Sequence, residues 1–495
     1  MVQRELDKYF REEHHMNNLT LKAGVARSDI TPPVGFRMQG AMRRIEPSVG
    51  IESPLLATVL ILADEKTKVV IFDCDLIGFD LPLANEIRQA VGKRVGTSPR
   101  HVIVGCTHTH NGPCTARGVL GGVHDVGGKP EDIAALDAYI SNLVGQLAGL
   151  AAVADGQLQP ARVGGGGGEA AVAINREELS ADGRILVGRN PAGLTDHSVA
   201  VLRIDNLNGK PMAVITNYAA HPVVMGYHTY LLSADYPGVV RRIVEGATGA
   251  TCLFLTGAAG NQAALSFLQS DWDEQERMGG QIAGAAVRAF FEIETRPHQV
   301  IREFDTSLSN IALYHKEFHE APTHQIFKAA SRQVSIPLQP LPSLERAEAN
   351  LAEANATLER LKLEKAPTTK TYPASLVKRW AEGVLQKVKA GLKQESLSFE
   401  IVGMRIDDCL LVAMPGEPFV EIGLGVKKRS KAPHTVFAGY CNGVLAYWPS
   451  AETVRKGGMA VEASVKTYDI SAPPVAETVD MLVEEFSRLL TELEA

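Results

Sequence analysis

The sequence predicts a mixed α/β fold in which helices pack over a β-sheet. Short aliphatic and β-branched runs alternate with amphipathic helical patterns, and Gly, Pro and Asp separate them. Several of the runs are apolar throughout, as in strands that are buried on both faces. Hydrophobic residues make up 45% and charged residues 22% of the 495 residues, which is the balance of a globular chain. Disordered and fibrous classes are therefore excluded.

The individual elements follow from these patterns in chain order. Aliphatic runs bounded by turn residues predict strands at 56–62, 69–72, 101–105, 199–204, 212–216, 252–255, 398–406 and 409–414. Helical spacing of apolar residues predicts helices at 82–91, 131–152, 274–291 and 474–494. Residues 164–168 are five consecutive glycines, which predict a flexible or tightly turning connection. They lack the strand, turn and helix context of a phosphate-binding loop.

The α/β alternation stops between about residues 316 and 394, where charge density rises. Leucines and alanines at heptad spacing from Leu344 to Leu361 predict one helix, and an amphipathic face around Trp380 predicts a second. We interpret the pair as a helical hairpin that packs on a neighbour or on a dimer partner; a membrane-surface or lid role is the alternative. The predicted domains are an N-terminal extension (1–20), an α/β catalytic domain (21–315 and 395–495) and a helical insertion (316–394).

Charge and cysteine content limit the partners and the compartment. The formal charge is -7, from 50 Lys and Arg against 57 Asp and Glu, which argues against nucleic acid as a partner. No run of about 18 apolar residues is present, so we expect no membrane span, although peripheral membrane contact stays open. The first 18 residues lack an apolar export core, and six cysteines form no C-x-x-C pair. These features predict a cytoplasmic protein.

Candidate functional side chains follow three apolar strands. His108 and His110 come after the first, and residues i and i+2 of a strand share a face. His221 and Glu417 come after two others, and open α/β sheets place their sites where strands end. Imidazole is a common zinc ligand and exchanges protons near neutral pH. Each of these residues alone is more often structural, so the prediction depends on their convergence.

The motifs around these residues resemble a known family. They run in family order from about residue 21 to 465, apart from the helical segment, and include GVARSDITP (24–32), THTHNGP (107–113), INR (174–176), NYAAH (217–221), GAAGNQ (257–262), PGE (415–417) and 442–447. Together they are similar to the N-terminal catalytic domain of the neutral or alkaline non-lysosomal ceramidases.

This resemblance implies a zinc ion held by His108, His221, Glu417 and Tyr447. It also implies that His110 is a catalytic proton shuttle and that Arg176 hydrogen-bonds the substrate carbonyl or the oxyanion. The implied function is a metal-dependent amidohydrolase that cleaves a linear amide of a small N-acyl substrate by metal-activated water. From sequence alone, Arg176 can instead form a surface ion pair with a neighbouring glutamate.

The departures from the family leave alternatives open. Ceramidases carry a catalytic tyrosine about a dozen residues after the metal-binding one, whereas Lys456–Glu462 contains none. The segment of the metal-binding tyrosine also differs, since its alignment rests on Asn442 and Tyr447 alone, and Tyr440 is a candidate substitute there. One alternative is therefore a zinc hydrolase of an ester, a lactone or another polar, non-lipid substrate. The other is a catalytically inactive metal-binding homologue that acts in assembly, as a homo-oligomer formed through the helical insertion.

Overall fold

The fold was analysed in a computed structural model, which describes residues 20–41, 44–117, 119–120, 129–269, 271–305 and 311–495. The predicted N-terminal extension lies outside these residues except for Thr20.

The strands within the described residues are, in chain order, β1 (Lys22–Asp29), β2 (Gly50–Ile51), β3 (Leu56–Ala63), β4 (Lys68–Cys74), β5 (Val102–Cys106), β6 (Gln159–Glu169), β7 (Ala173–Leu179), β8 (Ile185–Asn190), β9 (Ser198–Asn206), β10 (Pro211–Tyr218), β11 (Leu231–Leu232), β12 (Thr251–Thr256), β13 (Gln262–Ala264), β14 (His298–Asp305), β15 (Ile311–Phe318), β16 (Phe327–Pro337), β17 (Ser396–Ile406), β18 (Cys409–Ala413), β19 (Glu417–Pro418), β20 (His434–Ala438) and β21 (Tyr447–Trp448).

The α-helices of the same residues are α1 (Leu81–Val95), α2 (Pro130–Gly156), α3 (Asp235–Thr248), α4 (Trp272–Glu292), α5 (Leu344–Leu363), α6 (Thr368–Lys389), α7 (Val420–Arg429), α8 (Ala451–Lys456), α9 (Ser464–Thr467) and α10 (Thr478–Glu494). A π-helical turn occupies Met459–Ala463. The predicted strands and the long helices are thus present, with ends that differ by a few residues.

Two sheets face each other and helices cover their outer faces. The larger sheet has eight strands in the order β12-β10-β9-β6-β1-β3-β4-β5, and the smaller has β16-β17-β18-β20. The pairs β4–β5, β10–β12 and β18–β20 are parallel, and the other pairs in these two sheets are antiparallel. The predicted α/β class with a mixed sheet is confirmed.

Four layers result from the way these sheets bury their side chains. Ile71, Leu253 and Leu411 belong to the core between the two sheets. On the outer face of the larger sheet, α1 and α2 cover one half and α3 and α4 the other. On the outer face of the smaller sheet, α10 packs through Phe486 against the core that holds Val412. The order of layers is helix, sheet, sheet, helix.

Strands β12, β10, β9 and β6 form one half of the larger sheet, and β1, β3, β4 and β5 form the other. Both backbone and side-chain hydrogen bonds join the two halves. β1 and β6 pair only at Lys22↔Pro160 and Ala23↔Gln159. Elsewhere, the Arg241 guanidinium of α3 donates to both oxygens of Asp75, at 2.7 Å each, and to Asp73 at 3.2 Å. Asp73 also accepts the backbone N–H of Phe254 in β12 at 2.8 Å. This buried network therefore connects β12, at one end of the strand order, to β4, the second strand from the other end.

The run of five glycines is part of a strand, so the expected flexible connection is wrong. Residues 164–168 lie in β6 and pair with β9. A Cβ on Gly165 would lie 2.5 Å from the side chain of His434, and one on Gly164 would lie 2.6 Å from Ile293. The absence of side chains lets the end of α4 and strand β20 approach this strand closely.

The predicted helical hairpin is present as α5 and α6, which pack against each other. It begins later than residue 316, because residues up to Phe318 belong to β15 and Phe327–Pro337 forms β16. These strands escaped prediction because many of their side chains are exposed or half-buried, so no apolar run marks them. β16 pairs along its length with β17, so the hairpin connects two adjacent antiparallel strands. The division into domains stays a prediction.

Helix α2 is the one helix of the described residues whose length and composition would allow it to cross a membrane. Ile140, Leu143 and Leu147 on this helix are buried in the core that also contains Val59 of β3. A core helix passes the same test of length and composition. We therefore interpret α2 as a helix packed on the sheet.

We expect Gly165→Ala to lower the free energy of unfolding by about 1–3 kcal/mol, because the new methyl group overlaps His434. Gly149→Ala in α2 is the matched control, since nothing lies within 4 Å of its Cβ position. This control should stabilise the protein by roughly 0.5–1 kcal/mol. Urea unfolding of both variants checks the prediction, and equal stability of the two would contradict it.

We expect Arg241→Met to destabilise the fold by about 3–5 kcal/mol, because it leaves two carboxylates buried without their cation. Arg242→Met removes the adjacent guanidinium, whose side chain is 61% exposed and pairs with Glu276. Its effect should stay within about 0.5 kcal/mol. Thermal or urea unfolding measures both, and a small effect of Arg241→Met would show that the network is dispensable.

Candidate metal centre

His108 and His110 lie in the loop that follows β5, which ends at Cys106. His108 has a φ of 67°, so the strand alternation expected from sequence is not what brings the two rings together. The loop is fixed by its backbone, since Thr107 N–H donates to Cys74 O and His108 N–H donates to Leu76 O, both at 2.9 Å. Left-handed backbone at a residue other than glycine is uncommon and persists where such contacts enforce it.

His221 and Glu417 reach the same place from other elements. His221 follows β10, and its N–H donates to Gln262 O at 3.0 Å. Glu417 lies in β19, where a short parallel ladder pairs it with Tyr447 of β21. Both side chains are buried, with 0% and 1% of their surface exposed. The strand ends predicted to converge do converge.

Backbone carbonyl groups orient all three imidazole rings. Nδ1 of His108 lies 2.6 Å from Ile77 O, Nδ1 of His110 lies 2.9 Å from Gly40 O, and Nδ1 of His221 lies 2.8 Å from Ala259 O. A carbonyl oxygen can only accept, so each Nδ1 carries the proton. The lone pair of each ring is therefore on Nε2, which is the arrangement found in histidines that bind metals.

The ring nitrogens and one carboxylate oxygen form a compact cluster. Ligand atoms of His108, His110 and His221 all lie within 4.8 Å of one another. Oε2 of Glu417 lies 3.3 Å from Nε2 of His221 and 3.7 Å from Nε2 of His108. Ligand atoms about 2.0–2.1 Å from a tetrahedral zinc ion are roughly 3.3–3.4 Å apart. The two distances from Oε2 of Glu417 to His221 and His108 are therefore close to the distance between neighbouring ligand atoms in a zinc site.

Unpaired polar atoms in the cluster also fit a cation. Nε2 of His110, Nε2 of His221 and Oε2 of Glu417 are buried and have no hydrogen-bond partner among the described residues. A buried polar atom without a partner costs about 1–3 kcal/mol. A bound cation would remove this cost at the ligand atoms, and a mixed imidazole and carboxylate set suits zinc better than magnesium.

Burial sets the charge of the cluster. It lowers the pKa of His108 to about 3 and the pKa of His110 and His221 well below the ordinary value. The three imidazoles are therefore uncharged at neutral pH, which is the form that binds a metal. Burial also raises the pKa of Glu417 to about 7, although Arg176 opposes this. A cation beside Glu417 would favour its ionised form.

Arg176 lies inside the site, so the alternative of a surface ion pair is wrong. It is 6% exposed, and its Nε and Nη2 donate to Gly260 O at 3.1 and 2.7 Å. Nη2 also donates to the Tyr447 hydroxyl at 3.1 Å, and Tyr447 in turn hydrogen-bonds Glu417. The structure thus brings together all six residues that the sequence singled out.

Two tyrosines extend the site. The Tyr468 hydroxyl donates to Oε1 of Glu417. The Tyr440 ring centre lies 4.3 Å from that of His108, and its hydroxyl lies 3.3 Å from Nδ1 of His221. Sequence comparison missed Tyr468 because it lies beyond the segment in which the family carries its catalytic tyrosine. The helical spacing of the buried residues Ala460, Val461, Val465 and Tyr468 could have indicated that this side chain faces inward.

Two cavities are lined by residues of the site. One of about 220 Å³ is lined by His110 together with Val223, Met225 and Leu268. The other, of about 470 Å³, is lined by Tyr468 and by Leu81, Val444 and Leu445, but also by Asp80, Glu86 and Arg117. The cavity at His110 therefore provides apolar space beside the polar centre.

Comparison with known proteins supports the family resemblance. Residues 21–256 match the family model of the neutral/alkaline non-lysosomal ceramidases, N-terminal. The fold resembles neutral ceramidase from Pseudomonas aeruginosa, with a TM-score of 0.63, 17% identity, and 96% of this chain and 74% of that chain covered. It also resembles a ceramidase complexed with C2, with a TM-score of 0.65, 16% identity and coverage of 96% and 75%. Glu417 and Tyr447 lie beyond residue 256, so their place in the site rests on the geometry above.

We expect the purified protein to contain about one zinc ion per chain and to lose it in His108→Ala and in His221→Ala, because each variant removes one nitrogen ligand. His315→Ala, on the exposed strand β15, should retain the metal. Elemental analysis of the four folded proteins checks this. A wild-type protein that binds no zinc after reconstitution, or a His221→Ala variant that keeps it, would contradict the assignment.

Proposed function

Because residues 21–256 belong to the neutral/alkaline non-lysosomal ceramidase family, we propose that this chain is a zinc-dependent hydrolase that cleaves the amide bond of an N-acyl substrate. One observation carries the proposal. Nε2 of His221 and Oε2 of Glu417 lie 3.3 Å apart, and Nε2 of His110 lies beside them; all three atoms are buried and have no hydrogen-bond partner within the part of the chain that the structure describes. If these residues had only a structural role, their buried polar atoms would be hydrogen-bonded to one another or to neighbours. In a metal site with an adjacent base, the same atoms are free to bind the metal and the proton.

His108, His221 and Glu417 would hold the ion, and Tyr447 is the fourth ligand implied by the family. When bound, zinc lowers the pKa of water and polarises a carbonyl oxygen. Tyr468 and Tyr447 hydrogen-bond Glu417, so the carboxylate is held before the ion arrives. The backbone carbonyls that accept from Nδ1 hold the imidazole rings of His108 and His221 in place in the same way.

His110 is proposed to move the proton of the reaction. Its Nδ1 is tied to Gly40 O, and its Nε2 is uncharged and has no partner among the described residues. It can therefore accept the proton of the attacking water at Nε2 and give it to the departing amine. The Arg44 guanidinium donates to the backbone carbonyl of His110 and so holds this residue in place.

Arg176 is proposed to stabilise the negative oxygen that develops on the carbonyl. Burial opposes its charge, but Tyr447 and Glu417 more than offset this and raise its pKa. Its position is fixed by two bonds to Gly260 O. A preorganised cation of this kind favours the transition state without further rearrangement.

The apolar cavity at His110 favours a substrate with an aliphatic part. Val223, Met225 and Leu268 line the cavity beside His110, and such walls accept a hydrocarbon chain more readily than a polar group. One similar structure is of a ceramidase complexed with C2. We therefore propose a lipid-like N-acyl amide as the substrate class, reached by peripheral membrane contact or from solution.

We also propose that the protein works in the cytoplasm. All six cysteines are buried and free, which is typical of proteins kept in a reducing compartment.

An ester or lactone is the second candidate substrate. Lys456–Glu462 lacks the tyrosine that the family carries there, and an alkoxide needs less assistance from acid groups to leave than an amine does. The two substrate classes separate in one experiment, described next.

We expect His110→Ala to lower kcat on an N-acyl amide by about 10²–10⁴, because it removes the proton shuttle, while zinc content stays at the wild-type level. Activity is measured on N-acyl amides and on esters with the same acyl chains, with His315→Ala as the control. Cleavage of the esters alone would favour the second candidate. A zinc-loaded protein inactive on both series would favour the inactive homologue, and a fully active His110→Ala would remove His110 from the mechanism.

A further inference from the structure

The inserted helical hairpin contacts the segment that carries Tyr468. Trp380 of α6 donates its indole N–H to Ile470 O at 2.7 Å. The ammonium group of Lys466, in α9, lies 5.5 Å from the centre of the same indole ring. Trp380 thus touches the chain two residues before and two residues after Tyr468. The hairpin therefore fixes this segment from outside the sheet.

The other end of the segment departs from regular α-helix. Gly457 and Gly458 have φ values of 78° and 111°, and the π-helical turn Met459–Ala463 follows directly. π-Helical turns are rare and are frequently found at functional sites. Tyr468 follows this turn, and the contacts of Trp380 with Lys466 and with Ile470 hold the chain on both sides of it.

Tyr468 determines which oxygen of Glu417 faces the histidines. Its hydroxyl donates to Oε1, and both side chains are buried, with 3% and 1% of their surface exposed. Oε2 is then the oxygen that lies against His108 and His221. The terminal torsion of a glutamate is broad, so a carboxylate without this bond turns more freely. Tyr447 also bonds Glu417, so loss of Tyr468 would loosen the carboxylate without releasing it.

We propose that Tyr468 is a positioning residue for Glu417, and that the inserted hairpin, acting through Trp380, sets the affinity of the site for its divalent cation. The proposal rests on the metal site of the proposed function and is independent of the substrate. Under this proposal, the helical insertion influences metal binding in its own chain.

The test measures Co²⁺ binding to the full chain by competition with a chelator, together with the visible absorption spectrum of the cobalt-loaded protein. Tyr468→Phe should weaken Co²⁺ binding by about 10–100-fold, as is usual when a partner of a metal ligand is removed. It should also shift the cobalt bands, because the carboxylate of Glu417 is held less tightly. Trp380→Phe keeps the aromatic ring over Lys466 but removes the donor to Ile470, so the same two changes should appear with a smaller size.

Tyr372→Phe is the matched control. Tyr372 lies in α6 and is buried, and its hydroxyl has no hydrogen-bond partner among the described residues, so the variant removes one buried hydroxyl from the hairpin itself. It should bind Co²⁺ like the wild type and give the same spectrum. Thermal unfolding of each metal-free protein shows whether a variant has lost its fold. If Tyr468→Phe does not fold, Trp380→Phe still tests the proposal.

The outcomes separate this proposal from the proposed function. A wild-type chain that binds neither Co²⁺ nor Zn²⁺ would overturn both. A wild type that binds Co²⁺ while Tyr468→Phe binds it equally tightly with an unchanged spectrum would overturn the positioning role alone. An effect of Tyr468→Phe without any effect of Trp380→Phe would overturn the role of the hairpin.

Discussion

The contact between Arg241 and Asp75 is the constraint on which the site depends. The Arg241 guanidinium donates to both carboxylate oxygens of Asp75, and Asp75 also accepts the backbone N–H of Leu56. Asp75 belongs to the loop after β4 whose carbonyls receive His108, through the backbone at Leu76 and through the ring at Ile77. An ion pair inside the fold therefore fixes His108, the first of the proposed metal ligands, although it makes no contact with the proposed metal site itself.

Main-chain groups orient the histidines of the site. Histidines that bind metals donate their second nitrogen to a carboxylate, a backbone carbonyl or water, and the three rings here all donate to backbone carbonyls, Ile77 O, Gly40 O and Ala259 O. A carbonyl of the backbone cannot be removed by substitution, and it does not titrate. The tautomer of each ring is thus a property of the fold, whereas Glu417 is held by side chains, those of Tyr447 and Tyr468.

Much of the fold was predictable, because apolar runs and helical spacing record burial directly. The convergence of His108, His221 and Glu417 was predictable as well, since each follows an apolar strand and sites form where strands end. The sequence did not show that Glu417 approaches from the smaller sheet, after β18, while the histidines follow β5 and β10 of the larger one. The hydrophobic pattern does not show where two backbone segments approach each other closely, so the sequence predicted a loop at the glycine strand, residues 164–168. Tyr468 was hidden for a related reason: its partner lies 51 positions away in sequence, and only the fold brings the hydroxyl to the carboxylate.

The helical hairpin is inserted between two neighbouring strands of the smaller sheet. It leaves from Pro337 and returns at Ser396, which are paired neighbours at the ends of β16 and β17. A tight turn could join these two points, so a gene can lengthen, shorten or exchange the insertion without changing the order of any strand. Because the same insertion touches the Tyr468 segment, such an exchange offers evolution a means to retune the proposed metal centre while the proposed ligands stay unchanged.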